Sequence, residues 1–451
     1  MMARQRTAVV ENASAVRRSA LRQLLRIENQ GAYVGLAGDG DPGERDARDV
    51  RQTTEYVSGV TRWRRRLDFI LQQFYRGELE KMEPALKQIL RIGLYDIIYL
   101  NTPEYAAVND AVNLAKKEVR SGAGRLVNGV LRSVLRQKDA LPEPATGDDA
   151  EDLAIQHSHP TWMVERWLDR YGRDDATRLL EWNNERPIYA VRANTLKVTV
   201  AELRSRLEEI GVDVEPGRYL PDVFRVRSIQ PLLREDFFAD GLCAVQDEAA
   251  GLIVRLLDPA PGERILDACA APGGKAFVAA QIMQDRGEVV AVDVHEGRLR
   301  LVERGAKDLG LRSISMVASD MRSYVPHAQF DRALLDAPCS GFGVLSKRAD
   351  LRWNRRPEDF AGLRTLQDEL LDATATCVRP GGVLVYGTCT IEPEENQHRI
   401  RAFLQRNADF ELENAAEYVP RELVDEDGFY ASLPFRDGID GAFGARLRRT
   451  S

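Results

Sequence analysis

Residues 265–275, Ile-Leu-Asp-Ala-Cys-Ala-Ala-Pro-Gly-Gly-Lys, decide how this chain of 451 residues folds. The apolar start is typical of a short buried strand, and the residues after Lys275 are typical of a helix. Gly273 and Gly274 allow a tight turn close to a ligand, and the first amides of the helix can donate to it. The segment matches neither a phosphate-binding P-loop nor the G-x-G-x-x-G spacing of a dinucleotide site. It therefore predicts a cofactor loop of another kind.

Strands and helices alternate on both sides of this segment. Short apolar runs are followed by stretches with helical periodicity, which predicts a mostly parallel, doubly wound α/β sheet. The predicted strands are Ile265–Asp267, Val289–Val292, Ser315–Val317, Arg332–Leu335 and Val383–Tyr386, and the predicted helices are Leu252–Leu257, Gly274–Met283, Arg298–Leu309, Phe360–Val378 and Glu394–Asn407. In such a sheet the ligand lies beyond the carboxyl ends of the strands, so the residues that follow each strand are the candidates for chemistry.

Three acidic residues follow successive strands of this sheet. They are Asp267, Asp293 and Asp320. An isolated Asp after a strand is more often a helix cap or a turn former. Three in register indicate instead a pocket whose carboxylates accept hydrogen bonds from a ribose. Together with the loop at 268–275, they predict a ribose-bearing cofactor that is not bound through phosphates.

Two further strand ends carry a cysteine. Cys339 follows Asp336 in Leu-Leu-Asp-Ala-Pro-Cys-Ser, and Cys389 lies in Val-Tyr-Gly-Thr-Cys-Thr. Two cysteines at the ligand edge of one sheet, beside an acid, are better explained as reactive thiols. Inert burial is the expectation for Cys243 and Cys377. We expect no metal, because the chain has no CxxC spacing and none of its five histidines falls in these motifs.

Composition and charge limit the remaining classes of protein and of binding partner. The chain has 44% hydrophobic and 29% charged residues, which is ordinary for a globular protein. Five cysteines indicate reduced thiols, and no apolar run has the length of a membrane span or of a signal peptide, so we expect a cytoplasmic protein. The net charge of −7 is uneven, because residues 1–138 hold 24 Lys and Arg against 16 Asp and Glu, a net of +8. This asymmetry indicates a basic binding module, although solvated surface faces would also produce it.

Periodicity divides the chain into four segments. Residues 1–140 show helical spacing throughout, apart from a Gly- and Asp-rich loop at 31–46, and predict an all-α domain. Residues 141–156 lie in a stretch with prolines, acids and no period, and predict a linker. Residues 157–232 predict a helix followed by a small α/β subdomain, and residues 233–451 contain the large sheet.

The motifs resemble those of a known family. The sequences DACAAPGGK (267–275), LLDAPCSG (334–341) and YGTCT (386–390), in this order, are similar to the RNA cytosine-5 methyltransferases of the Nol1/Nop2/Sun family. This resemblance extends from about His157 to the end of the chain. It implies a Rossmann-like class I methyltransferase domain that uses S-adenosylmethionine, and an RRM-like middle subdomain. The segment GRLVNGVLRSVLR (124–136) and the basic helical region before it resemble the domain of the NusB antitermination factor. This combination implies 16S ribosomal RNA as the substrate.

The resemblance also implies roles for residues at matching positions. Asp293 would hold the ribose, Asp320 would lie by the adenine, and Asp336 would face and protonate or position the target base. Cys389 would be the nucleophile that adds to carbon 6 of cytosine, and Cys339 would help to release the product. The enzymes that act on DNA use the cysteine of the Pro-Cys motif instead, which leaves the reverse assignment open. The residues implied in cofactor binding are Cys269, Ala270, Ala271, Pro272, Gly273, Gly274, Lys275, Asp293, Asp320 and Asp336. Ala442 departs from the family pattern, which usually has an aromatic residue there.

Basic residues provide the candidates for RNA contact. The predicted set is Arg64, Arg65, Lys116, Lys117, Lys347, Arg348 and Arg352. Arg355 and Arg356, with Trp353 interleaved, extend it, although charge runs are often solvated helix faces. The resemblance thus implies a cytosine-5 methyltransferase of 16S ribosomal RNA, which we expect to be a monomer. The alternatives are an enzyme that acts on transfer RNA and a non-catalytic assembly factor built on a methyltransferase scaffold.

Overall fold

The computed structural model describes residues 15–28 and 47–450, and the chain divides into two compact units. The first unit comprises the chain up to Glu185 together with Leu345–Arg355, and the second comprises Arg186–Val344 and Arg356–Ser451. The helices up to residue 185 are α1 (residues 15–28), α2 (Ala47–Arg62), α3 (Arg64–Phe74), α4 (Pro84–Ile98), α5 (Glu104–Glu118), α6 (Ala123–Leu135), α7 (Asp149–Gln156) and α8 (Thr161–Asn184). The elements after residue 185 are β1 (Tyr189–Ala193), α9 (Val200–Glu209), β2 (Glu215–Pro216), β3 (Val223–Val226), α10 (Gln230–Arg234), β4 (Cys243–Val245), α11 (Glu248–Leu257), β5 (Arg264–Ala268), α12 (Gly274–Ile282), β6 (Glu288–Asp293), α13 (Glu296–Leu309), β7 (Ile314–Ala318), β8 (Phe330–Asp336), α14 (Leu351–Asn354), α15 (Asp359–Thr376), β9 (Val378–Thr388), α16 (Gln397–Arg406), β10 (Phe410–Glu413), β11 (Tyr430–Ser432), α17 (Pro434–Asp437) and β12 (Ala442–Arg449).

Helices α1 to α6 of the first unit share one apolar core, which confirms the predicted all-α region. α4 is buried along most of its length and also carries Asp96 into the core. This carboxylate accepts hydrogen bonds from Arg17 at 2.9 Å and from the Tyr56 hydroxyl at 2.7 Å. A buried charge needs such partners, because an unpaired one would lose several kcal/mol of hydration. The predicted loop at 31–46 lies outside the described residues.

The predicted linker at 141–156 is only partly irregular. α7 occupies Asp149–Gln156 and begins at Asp148, whose carboxylate accepts from two backbone amides of the first turn. Arg65 on α3 donates to Glu151 on α7 at 2.6 Å. α7 and α8 lie in the first compact unit, and the predicted domain boundaries at residues 157 and 232 stay a prediction.

The segment Leu345–Arg355 also packs into the first unit, although it lies far along the chain. Its helix α14 contains Arg352, which is fully buried. The guanidinium of Arg352 donates to the carbonyl oxygens of Ser158 at 3.1 Å and Asn183 at 2.9 Å. The indole N–H of Trp353 donates to a carbonyl oxygen of α2 at 2.7 Å. These bonds make the segment an integral part of the helical unit.

The second unit begins with a small antiparallel sheet in the order β2-β3-β1-β4. α9 covers it with Leu203 and Leu207, which pack into one cluster with Val191 of β1 and Phe224 of β3. α9 begins with a capping box between Thr199 and the third residue of the helix. The predicted small α/β subdomain is confirmed.

The large sheet has the order β10-β12-β9-β8-β5-β6-β7, with β11 paired to β12. The five strands from β9 to β7 in this order run parallel, and the predicted strands correspond to them. One predicted helix is too long, because α15 ends at Thr376 and Val378 pairs with Phe330 of β8. The Arg-Pro-Gly-Gly sequence that follows explains why the helix ends early, since a proline disfavours helical backbone at the residue before it. Within the described residues, no helix is long and apolar enough to cross a bilayer.

Candidate active site

The loop after β5 is shaped by residues with left-handed backbone. Cys269 has φ 62° and Gly273 has φ 107°. A Cβ atom at Gly273 would lie 2.5 Å from the ring of Phe277, so both the turn and the packing require glycine. The amide of Ala271 donates to Asp293 at the end of β6, over 3.2 Å. The predicted cofactor loop therefore lies next to Asp293, the residue predicted to bind the ribose.

Asp320 follows β7, as predicted, and its carboxylate is engaged locally. It accepts from the backbone amide of Arg322 at 2.9 Å and from the guanidinium of the same residue at 2.6 Å. These hydrogen bonds lower the pKa of Asp320. They fix the turn after the strand, and a contact with the adenine stays a prediction.

Asp267 is the most buried acid of the site. It is 2% exposed, and within the described part of the chain neither carboxylate oxygen has a hydrogen-bond partner. Burial, and after it the charge of Asp336, raises the pKa of Asp267 to about 8. Buried polar atoms of this kind are usually satisfied by a ligand or by ordered water.

Lys275 and Asp336 form an ion pair between the first turn of α12 and the end of β8. The ammonium nitrogen of Lys275 lies 2.6 Å from Oδ2 of Asp336. Burial lowers the pKa of Lys275, but the charge and hydrogen bond of Asp336, together with the charges of Cys389 and Asp267, raise it overall. A cation is therefore held permanently at the carboxyl edge of the sheet.

The two predicted reactive cysteines lie side by side. Their Sγ atoms are 3.4 Å apart, although the residues are 50 positions apart in the chain. A hydrogen bond from Cys339 lowers the pKa of Cys389 in spite of its burial, while the charges of Asp336 and Lys275 act on it in opposite directions. The same hydrogen bond, with burial, raises the pKa of Cys339 well above its ordinary value. The pair is thus polarised towards a thiolate on Cys389.

The other cysteines are not activated. Burial raises the pKa of Cys269 and of Cys243 to about 12 in each case, and it also raises the pKa of Cys377. Cys243 and Cys377 are buried in apolar clusters, as expected from the sequence. A thiol with a raised pKa provides little thiolate at neutral pH. Cys269 therefore serves the shape of the cofactor loop.

The predicted RNA contacts separate into two groups. Arg352 is a correction, because its fully buried guanidinium donates to carbonyl oxygens and cannot reach a phosphate. Arg64 stacks over Trp353, and Arg65 pairs with Glu151 at 2.6 Å, so both side chains are engaged within the helical unit. The remaining candidates are half-buried or exposed: Lys347 and Arg348 are half-buried, and Lys116 and Lys117 are exposed at the end of α5.

Sequence reasoning missed a buried polar network behind the cysteines. Its members are Ser340, Gln367, Thr388, Thr390, Glu395 and Asn396, all of them buried. The predicted helix Glu394–Asn407 begins only at Gln397, because the residues before it turn inward to this network. The density of polar residues directly after Cys389 was the available signal, but it does not reveal their partners.

The fold defines the class of the protein as an S-adenosylmethionine-dependent RNA methyltransferase. Residues 254–448 match the family model of the 16S rRNA methyltransferase RsmB/F, residues 14–136 match the NusB family, and residues 159–232 match the ferredoxin-like domain of the RsmF/B-like methyltransferases. The chain belongs to the family of ribosomal RNA small subunit methyltransferase B, as the full-length relatives below show.

Two relatives illustrate the extent of the match. The probable ribosomal RNA small subunit methyltransferase B of Bacillus subtilis (strain 168) is 36% identical, over 97% of this chain and 99% of its own length. The ribosomal RNA small subunit methyltransferase B of Salmonella typhi is 34% identical, over 89% of this chain and 90% of its own. The similarity therefore includes the helical unit as well as the catalytic one.

Solved structures share the fold at lower identity. The crystal structure of PH0851 is 24% identical and superimposes with a TM-score of 0.79, covering 97% of this chain and 99% of that one. NSun6 from Pyrococcus horikoshii, solved with the ligand SFG, is 22% identical with a TM-score of 0.59, covering 65% of this chain and 98% of that one. These likenesses support the architecture of the sheets.

Proposed function

We propose that this chain transfers a methyl group from S-adenosylmethionine to carbon 5 of a cytosine in 16S ribosomal RNA through a covalent adduct with Cys389. The observation that carries the proposal is the pair of sulfurs 3.4 Å apart beside the Lys275–Asp336 ion pair, at the carboxyl edge of the sheet. We expect the enzyme to act as a cytoplasmic monomer. Membership of the family supports ribosomal RNA over transfer RNA as the substrate.

The residues present fit S-adenosylmethionine. Asp267 offers two buried carboxylate oxygens that lack partners among the described residues, and the α-ammonium group of the cofactor would supply donors for them. Asp293 ends β6, where a carboxylate accepts from ribose hydroxyls. Residues 269–275 would enclose the methionine end. When bound, the cofactor supplies an electrophilic methyl group on a sulfonium.

The nucleophile is needed because carbon 5 of cytosine does not attack a methyl sulfonium readily. The thiolate of Cys389 adds to carbon 6, and the new carbon–sulfur bond places negative charge on carbon 5. Carbon 5 would then take the methyl group as the bond from that methyl to the cofactor sulfur breaks, which would leave a neutral thioether. Carbon 5 would afterwards lose its proton to a base. The carbon–sulfur bond breaks, which restores the thiolate and releases 5-methylcytosine. We assign the release step to Cys339, whose sulfur lies beside that of Cys389.

Asp336 is the candidate for contact with the base. One of its oxygens is held by Lys275, and its side chain is one-third exposed. The proposed role is to hold or share a proton at the ring nitrogen, which stabilises the charge that develops when the thiolate adds. Lys275 would thereby serve two groups, since it orients Asp336 and favours the thiolate of Cys389.

The helical unit offers a surface for RNA. Lys116 and Lys117 extend from the last turn of α5 into solvent. Between α5 and α6 lies a groove of about 280 Å³, and the Tyr105 side chain on its wall is 79% exposed. An exposed aromatic ring can stack on an unpaired base. Lys116 and Lys117 lie at the opposite end of α5 from this groove, so their candidacy rests on their charge and exposure. We therefore retain Lys116 and Lys117 as proposed RNA contacts.

Bisulfite sequencing of ribosomal RNA tests the function directly, because 5-methylcytosine resists conversion. A deletion strain of the source organism would be complemented with the wild-type chain or with Cys389→Ala. We expect one cytosine of 16S ribosomal RNA to be protected only with the wild type. Protection in transfer RNA instead would identify the other substrate class. An absence of any protected position would favour the non-catalytic assembly factor.

A further inference from the structure

Glu395 holds the loop that carries Cys339. It is fully buried between β9 and α16, and its Oε2 accepts from the backbone amide of Ser340 at 2.9 Å and from the side-chain amide of Gln367 at 2.9 Å. The same nitrogen of Gln367 donates to the carbonyl oxygen of Pro338 at 2.9 Å. The peptides on both sides of Cys339 are therefore fixed by one carboxylate and one amide.

The next residue, Asn396, holds the other cysteine loop. Its Oδ1 accepts from the Thr388 hydroxyl at 2.6 Å, and its Nδ2 donates to the carbonyl oxygen of Thr390 at 2.9 Å. These two threonines flank Cys389. The hydroxyls of Ser340 and Thr390 lie 2.7 Å apart and join the two loops. Two adjacent side chains thus set the distance between the sulfurs.

The charges around the pair are not symmetric. The negative charge of Glu395 raises the pKa of Cys339, after its hydrogen bond to Cys389 and its burial. Among the groups that face Cys389, Lys275 lowers its pKa, whereas the carboxylates of Asp336 and Asp440 raise it. The Tyr386 hydroxyl donates to the Glu395 carbonyl oxygen at 2.7 Å. Lys275 and two carboxylates thus face Cys389, whereas Glu395 adds a carboxylate on the side of Cys339.

The ionisation state of Glu395 is the decisive question. Burial, together with the charge of Glu392, raises the pKa of Glu395 overall, although the hydrogen bonds from Ser340 and Gln367 oppose the shift. Both donors reach the same oxygen, and Oε1 has no hydrogen-bond partner among the described residues. Two N–H groups directed at one oxygen favour the carboxylate over the acid.

We propose that Glu395 is a positioning residue that fixes the Cys339 loop and keeps the proton shared by the two cysteines on the sulfur of Cys339. This inference rests on the proposed function, in which Cys389 is the nucleophile. In the proposed arrangement the Cys339 thiol donates its proton to the Cys389 thiolate across the 3.4 Å between the sulfurs. Glu395 disfavours the opposite arrangement, in which Cys339 would be the anion.

The test measures the alkylation rate of each cysteine separately in the full-length protein, without RNA or cofactor. In a Cys389→Ser background, the rate of alkylation of Cys339 by iodoacetamide is followed against pH by mass spectrometry, with and without Glu395→Gln. Glutamine has the shape of glutamate and can still accept from Ser340 and Gln367. Loss of the negative charge should lower the pKa of Cys339 and increase its alkylation at neutral pH by about tenfold for each pKa unit.

Two matched controls distinguish charge from structure. In a Cys339→Ala background, Glu395→Gln should leave the alkylation profile of Cys389 nearly unchanged. Glu392→Gln removes another buried carboxylate of the same loop and should not increase the reactivity of Cys339. An identical Cys339 profile with and without Glu395→Gln would overturn the proposal, because Glu395 would then be neutral or merely structural. This readout requires no methylation, so its failure is separate from failure of the proposed function.

Discussion

The two cysteine loops occupy equivalent places in the sheet but different electrostatic environments. Cys339 follows β8 and Cys389 follows β9, two neighbouring parallel strands. Lys275 lies on the side of Cys389, and Glu395 lies behind the loop of Cys339. The difference teaches that strand order brings two like groups together, whereas, in the function we propose, the charges packed around them assign each its role.

The largest expected effect comes from exchanging the two loops' cysteines for alanine. Cys389→Ala should lose methylation by a factor on the order of 10³ or more and should form no RNA adduct, because the nucleophile is absent. Cys339→Ala should accumulate a covalent RNA adduct that survives denaturing electrophoresis. Both variants are incubated with S-adenosylmethionine and a 16S ribosomal RNA fragment, and their methylation and their adduct formation are compared. The reverse pattern would invert the comparison and assign Cys339 as the nucleophile.

A smaller effect is expected when the cation beside Cys389 is removed. Lys275→Met should raise the pKa of Cys389, since the ammonium favours the thiolate. The thiolate population at a given pH then falls by about tenfold for each pKa unit, so activity should shift towards alkaline pH. The measurement is the pH dependence of Cys389 alkylation and of kcat.

Lys275→Arg, which keeps the positive charge, is the matched control for this shift. Circular dichroism would confirm that both variants are folded. If Lys275→Met and Lys275→Arg gave the same alkylation profile as the wild type, the charge of Lys275 would not distinguish the two cysteines.

The smallest effect on kcat is expected from substitutions in the helical unit. Lys116→Glu with Lys117→Glu should weaken RNA binding and raise KM, while kcat stays close to that of the wild type, because neither lysine lies in the catalytic unit. The salt dependence of RNA affinity should become less steep, by about 0.7–0.9 in the logarithmic slope for each lost phosphate contact.

Lys81→Glu serves as the control, since it reverses an exposed charge that is paired with Glu78. Titrations with a fluorescent RNA fragment at several salt concentrations would provide both quantities. An unchanged slope in the double variant would show that these lysines are a solvated helix face.

The sequence predicted the features that depend on local patterns. An apolar run followed by Asp or Cys predicted the ends of β5, β6, β8 and β9, because a buried parallel strand has a local signature. The turn at Gly273 was equally visible, since glycine is required where φ is positive. These features position the cofactor loop and both cysteines.

Features that depend on distant partners were not predictable in the same way. Arg352 resembled a phosphate ligand, yet its hydrogen-bond acceptors, the carbonyl oxygens of Ser158 and Asn183, lie far away in the chain. The Glu395 network was invisible for the same reason, because Ser340 and Gln367 come from other elements. Charge in the sequence does not tell whether a side chain meets solvent or a buried carbonyl group.

The membership of Leu345–Arg355 in the helical unit has a consequence for how the protein can be divided. A single cut after Glu185 would remove the carbonyl oxygens of Ser158 and Asn183 that bind Arg352, and it would leave a buried arginine and a tryptophan in the remaining chain without their partners. A truncation after Glu185 would therefore not separate the two folded units from each other. Any shortened catalytic fragment would need this segment redesigned as a surface loop.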